Sequence, residues 1–109
     1  MTPINRVVSP QEAKEKMQSL EDFILLDVRR LDEFNESHIK GAVLIPAEEL
    51  SSRVLNELPS LNIPIFVYCR SGRRSAAAAA DLASLGFMEI YDFGGILDWP
   101  FEKVTRGLE

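Results

Sequence analysis

The sequence alternates short, continuous apolar runs with segments of helical period, joined by connections of a few residues. Phe23–Val28 is apolar apart from Asp27, and Ile65–Tyr68 is apolar throughout. Continuous runs of this length fit strands buried on both faces. Arg6–Val8, Ala42–Ile45 and Glu89–Tyr91 supply three shorter strand candidates. Between them, Ser9-Pro10-Gln11-Glu12 has the pattern of an N-cap, a first-turn proline and a capping-box glutamate, leading a helix with Ala13, Met17 and Leu20 on one face. A short helix is expected over Leu31–Glu36, and Pro46 opens another carrying Leu50, Val54 and Leu58. The alanine-rich segment reads as a helix from about Arg73 to Leu85, stopped by Gly86 in the left-handed cap position. Gly94-Gly95 precedes a final helix through Ile96, Leu97 and Trp99, with Pro100 near its end. Repeated β-α units of this kind imply an α/β fold. The expectation is an open, largely parallel five-stranded sheet with helices on both faces, in one domain spanning residues 1–109. In such sheets ligands bind beyond the carboxyl ends of the strands.

The lone cysteine lies at that end of a strand. Cys69 follows Ile65–Tyr68 and opens the loop Arg70-Ser71-Gly72-Arg73-Arg74-Ser75, after which a helix begins. A single cysteine ending an apolar strand is most often a small buried hydrophobe. Here, however, three arginines fall within five residues, and burying them would be costly, so the loop must face solvent or an anion. A helix N-terminus adds unpaired N–H groups and a partial positive charge. Together these are expected to pull the thiol below its free pKa of about 8.5 and to populate the nucleophilic thiolate. Cys69 is therefore the candidate nucleophile, with Arg70, Ser71, Gly72, Arg73 and Arg74 as candidate anion-binding residues. Arg74 is expected to turn inward and brace the loop, and Arg70 and Arg73 to meet an anionic group.

The chain carries 12 basic and 17 acidic residues, a net charge of −5, which argues against nucleic acid or an anionic membrane as the main partner. Five of its eight arginines nevertheless fall in two segments after apolar strands, Arg29-Arg30 and the Cys69 loop, so a local basic pocket is expected. One cysteine and one histidine, His38, provide neither an internal disulfide nor a multi-cysteine metal site, and no cofactor is implied. Met1–Arg6 has no apolar leader core and nowhere are there 18 consecutive apolar residues, so a soluble, reducing, cytoplasmic setting is the expectation. No weight is placed on Leu108-Glu109.

The motifs resemble those of single-domain rhodaneses, of the sulfurtransferase family. Leu25-Leu26-Asp27-Val28-Arg29, Glu33-Phe34, His38-Ile39-Lys40-Gly41-Ala42 and Ile45-Pro46 form the first block. Tyr68 to Ser75 resembles the family's active-site loop, and Gly94-Gly95-Ile96 with Trp99 resembles its C-terminal signature. Departures are Ser37 for the usual glycine, Lys40 for the usual proline and Arg30 where an acidic residue is common. They touch partner surfaces rather than the cysteine loop.

The resemblance implies a sulfurtransferase that moves sulfane sulfur from a small anionic donor such as thiosulfate to cyanide, a small thiol or a protein thiol, through a persulfide on Cys69. It implies a structural His38. Asp27 reads as a buried partner for strand-end backbone groups or an arginine, supporting the site together with Arg29. Two other readings accompany this one. A sulfur-relay carrier or regulatory rhodanese-like binding module would share the fold, although regulatory modules usually lack the cysteine or have a disrupted loop. Cysteine phosphatases of the dual-specificity type and arsenate reductases place an arginine six positions after the cysteine. Here that position is Ser75 and the arginine is Arg74, so the smaller loop favours sulfur over a tetrahedral phosphate.

Overall fold

The computed structural model describes residues 2–108; Met1 and Glu109, at the ends of the two terminal segments considered above, lie outside the described residues. In chain order the elements are β1 (Ile4–Val7), α1 (Pro10–Ser19), β2 (Ile24–Asp27), α2 (Leu31–Glu36), β3 (Val43–Leu44), α3 (Leu50–Glu57), β4 (Ile65–Cys69), α4 (Arg73–Ser84) and β5 (Glu89–Gly95). The strands form one open sheet in the order β1-β5-β4-β2-β3, and every pairing is parallel. The α/β expectation holds, and the sheet is wholly rather than largely parallel.

Burial explains the order. All five residues of β4 are buried, as the most continuous apolar run demands, and β4 sits at the centre. Its side chains alternate between two cores. Val67 and Cys69 face Leu50 and Val54 of α3 and Ala78, Ala79 and Leu82 of α4. Phe66 and Tyr68 face the other way, towards Ala13, Tyr91, Phe93 and Trp99. That second core is aromatic, with Phe66 stacked on Tyr91 (4.9 Å between ring centres) and Phe93 between Tyr68 (5.3 Å) and Trp99 (5.2 Å).

Local chemistry sets the helix ends. The Ser9 hydroxyl accepts the Glu12 N–H (3.0 Å) with Pro10 in the first turn. The reciprocal half of the expected capping box is replaced by an ion pair, because the Glu12 carboxylate turns to Arg6 (2.6 Å). On α4, Ser75, Ala78, Ala79 and Leu82 are the buried positions, a small-residue stripe at helical spacing that lets the helix lie close to the sheet. Gly86, at φ +100°, ends it: its N–H bonds the Ala83 carbonyl (3.1 Å) and the Phe87 N–H bonds the Leu82 carbonyl (3.1 Å).

Three expectations need correction. The helix opened by Pro46 begins as a 3-10 turn over Ala47–Glu49 before α3. The expected helix after Gly95 is a single 3-10 turn, Ile96–Asp98, since Pro100 cannot continue it. Most consequential, β5 does not stop at Tyr91 but runs through both glycines to Gly95. After a register shift between Val67 and Cys69, Gly95 pairs with Cys69.

That extension positions the loop. Arg70 and Ser71 lie directly on Gly95, where a Cβ would overlap the Arg70 carbonyl group and the Ser71 Cα. The Leu97 N–H also bonds the Arg70 carbonyl (3.2 Å). Gly95→Ala is therefore expected to cost about 1–3 kcal/mol of stability by overpacking, read as a lowered urea midpoint at unchanged slope. A loss below about 0.5 kcal/mol, the range of an ordinary surface change, would contradict this contact.

Candidate active site

Cys69 is the last residue of β4, and the chain must turn at once into α4. Gly72 makes the turn at φ +108°, a backbone conformation that side chains disfavour. This folds the loop back over the sulfur, and the Gly72 N–H donates to Cys69 Sγ (3.0 Å). Burial pushes the thiol pKa up, but the Ser75 N–H and hydroxyl and the N–H groups of Gly72 and Ser71 favour the thiolate more, and the pKa lies below its ordinary value. The expected direction holds, through the expected N–H groups at the start of α4 and the Ser75 hydroxyl more than through the guanidinium groups of Arg70, Arg73 and Arg74.

The arginines are distributed differently from the expected basic pocket. Arg74 donates two parallel hydrogen bonds to Glu33 of α2, Nη1 to Oε1 (2.7 Å) and Nη2 to Oε2 (2.9 Å). It braces the loop sideways against α2 instead of turning in to the sulfur. Arg29 is buried at the end of β2 and committed to Asp27 through Nε (3.0 Å) and Nη2 (2.8 Å), with Nη2 also on the Ser37 carbonyl (2.6 Å). Arg30 pairs with Asp32 at 3.0 Å. Acids absorb the charge of Arg29, Arg30 and Arg74, so no five-arginine pocket forms. Arg70 and Arg73 are exposed and take no acidic partner among the described residues.

Asp27 fills both roles foreseen for it: besides the guanidinium, its Oδ1 accepts the Arg29 N–H (2.9 Å). Asp92 repeats the motif on β5, with Oδ1 accepting the Gly94 N–H (2.9 Å) and the Ser75 hydroxyl (2.8 Å). Each carboxylate bonds the N–H two residues on, the Asx-turn pattern, Asp27 at the end of β2 and Asp92 within β5. Asp92 was not singled out from sequence, and Glu33 entered only as part of the Glu33-Phe34 motif, with no role given to it. The signal for Asp92 was an aspartate inside an apolar run two residues before a glycine, and for Glu33 its place in the first turn of α2. His38 is buried, with Nδ1–H on the Phe34 carbonyl (2.8 Å) and its ring stacked on Phe34 (3.8 Å). Its backbone pairs with Val104 in an isolated antiparallel bridge.

The sequence profile of the rhodanese-like domain matches residues 9–100. The chain is 33% identical over 79 residues to the thiosulfate sulfurtransferase PspE of Escherichia coli, covering 72% of this chain and 76% of PspE. It is 39% identical over 93 residues to YrkF of Bacillus subtilis, whose name proposes a sulfur-carrier role; that match covers 84% of this chain but only about half of YrkF (49%). Among solved structures, one described as a rhodanese with anions from E. coli superposes with a TM-score of 0.71 at 32% identity, covering 75% of this chain and 96% of that one.

The Arg74 fork holds the Glu33 carboxyl at a pKa of about 2, against an ordinary 4.5. A depressed carboxylate contributes stability that is fully present above about 4.5 and is lost as pH falls towards about 2. The stability difference between the native chain and Glu33→Gln, from urea unfolding across this range, is expected to shrink as pH falls. A gap that stays constant from pH 5 to 2.5 would show that the pair does not act.

Proposed function

Because the chain belongs to the rhodanese-like domain family, we propose that it is a sulfurtransferase moving sulfane sulfur from a small anionic donor, thiosulfate in the simplest case, to a thiophilic acceptor through a persulfide on Cys69. The observation that carries this reading is the buried Cys69 sulfur at the carboxyl end of the sheet, which takes the Gly72 N–H (3.0 Å) and whose thiolate the Ser71 and Ser75 N–H groups also favour. Such a site holds an anion without needing a cation or a proton donor.

The transfer runs as two displacements. The Cys69 thiolate attacks the outer sulfur of thiosulfate, forming a new S–S bond. The old S–S bond breaks, and its electron pair leaves on sulfite, which departs as an anion and requires no general acid. The terminal sulfur of the persulfide then sits where the loop amides converge. An acceptor such as cyanide or a thiolate attacks that sulfur, and the Cys69 thiolate is regenerated. Splitting the transfer into two displacements is covalent catalysis.

In this account Ser71, Gly72 and Ser75 stabilise negative charge through their N–H groups. Arg70 and Arg73, exposed and unpaired by acids among the described residues, meet the sulfonate end of the donor. Arg74 acts through Glu33, holding the start of α4 against α2. Asp27 and Arg29 support the neighbouring strand end as one buried unit. Residues 1–109 act as one domain. Cys69 is only 1% exposed, which suits delivery of a single sulfur atom better than accommodation of a tetrahedral phosphate.

A second reading, relay of the persulfide sulfur to a protein thiol, is favoured by the likeness to YrkF. It uses the same covalent intermediate and differs in the acceptor.

Steady-state assays test the main reading. With thiosulfate and cyanide, thiocyanate is expected to form with parallel-line double-displacement kinetics, and Cys69→Ser is expected to lose the activity entirely. Arg70→Ala is expected to raise KM for thiosulfate more than for an uncharged sulfane donor. Undiminished turnover by Cys69→Ser, or efficient aryl phosphate hydrolysis that depends on Cys69, would overturn the assignment.

A further inference from the structure

A groove of about 400 Å³ opens on the aromatic face of the sheet, between α1 and the β2–β3 edge. Met17 of α1, Phe23 at the entry to β2, Leu25, Ile39 and Trp99 give it apolar walls, the last three of them buried. Clefts of this size, mostly apolar with a few polar groups, are the usual form of a small-molecule site. Phe23 and Ile24 lie at the amino end of β2, whereas Cys69 lies at the carboxyl end of the neighbouring β4. The groove is therefore separate from the sulfur site, and no step of the transfer described above uses it.

Its charged lining is entirely cationic. Lys14 and Lys40 are the ionic residues along it, in a chain whose net charge is −5. Neither takes an acidic partner among the described residues. Lys14 is half-buried, and its Nζ lies 4.0 Å from the centre of the Phe101 ring, which packs at 4.9 Å on Trp99. The ring face attracts the ammonium and holds it beside the groove. Lys40 is one of the departures from the rhodanese pattern, standing where proline is usual, and it brings a second cation to the rim. That departure has no role in the cysteine loop.

We propose that this groove binds an apolar monocarboxylate, its unbranched acyl chain laid against Met17, Phe23, Leu25 and Trp99 and its carboxylate facing Lys14 and Lys40. The apolar walls favour the chain by removing it from water. The two ammonium groups favour a negative head group over the matching alcohol and disfavour the matching amine. Lysine acts here as a point charge, which suits a single small carboxylate without the fixed fork that arginine would impose.

Trp99 is the chain's single tryptophan, so its fluorescence reports on the groove. The test titrates the native chain with octanoate, 1-octanol and octylammonium, with amide shifts followed by NMR in parallel. Octanoate is expected to give a saturable fluorescence change with a Kd of about 1 mM or tighter. The amides of Met17, Gln18, Lys40 and Gly41 are expected to move with it. 1-Octanol is expected to bind about 3-fold or more weakly than octanoate, and octylammonium more weakly still. Lys14→Gln and Lys40→Gln are each expected to weaken octanoate by about 2–5-fold, the range of a partly exposed ion pair. Both variants are expected to leave 1-octanol binding unchanged.

Absence of a saturable change up to about 10 mM octanoate would overturn the proposal. So would 1-octanol or octylammonium binding as tightly as octanoate, which would show an apolar patch with no recognition of charge. A loss in the lysine variants shared equally by 1-octanol would overturn it as well, since it would reflect lost packing. Amide shifts confined to Arg70–Arg73 would place the anion at the sulfur site instead and have the same consequence. These measurements involve neither Cys69 nor a sulfur donor, so failure of sulfur transfer would not be mistaken for failure of this site.

Discussion

The Cys69 loop rests backbone to backbone on the end of β5, and the rest of the site depends on that contact. Gly95 pairs with Cys69 and lies against Arg70 and Ser71 so closely that a side chain has no room. Gly72 lies over Gly94 on the other side of the turn, where an added Cβ would be 3.5 Å from the Gly94 Cα. With its outer wall held in this way, the loop aims its N–H groups inward at a sulfur delivered by the central strand. A loop free to relax outward would offer those groups to water instead. The cradle thus comes from the sheet's geometry more than from the loop's own side chains.

Charge is handled in two separate layers. Next to the sulfur, negative charge is held by amide dipoles, which cannot be titrated away and need no counter-ion. One layer out, the guanidinium groups are tied to acids: Arg74 to Glu33, Arg29 to Asp27, Arg30 to Asp32. These pairs fix the positions of elements instead of concentrating positive potential. Removing one partner of the buried Asp27–Arg29 pair would leave a charge uncompensated, a loss of about 3–5 kcal/mol in comparable cases. The two aspartates, one at the end of β2 and one within β5, differ in this respect. Asp27 has its cation beside it, whereas Asp92 spends its charge on a hydroxyl and an amide.

Much of this was legible in the sequence because it depends on local period and local chemistry. The apolar run before Cys69, the small-residue face of α4 and the stop at Gly86 each follow from residues adjacent in the chain, and each formed where expected. The candidate nucleophile and the loop residues around it were legible for the same reason. What escaped was non-local. The Arg74–Glu33 fork joins residues 41 apart in sequence, and the Ser75–Asp92 bond joins residues 17 apart. Neither is visible until the sheet order places α2, α4 and β5 around one point. Gly94 and Gly95 read as the lead-in to a final helix and not as strand, because glycine weakens strands in general. They continue β5 instead, since close approach to Arg70 needs a residue without a side chain.

The central claim is that sulfur resides covalently on Cys69 during turnover. Intact mass measured under non-reducing conditions, after incubation with thiosulfate and removal of the excess, tests it most directly. The account predicts one added sulfur atom per chain, lost on addition of cyanide and absent from Cys69→Ser. No added sulfur, or an addition that persists in Cys69→Ser, would contradict it.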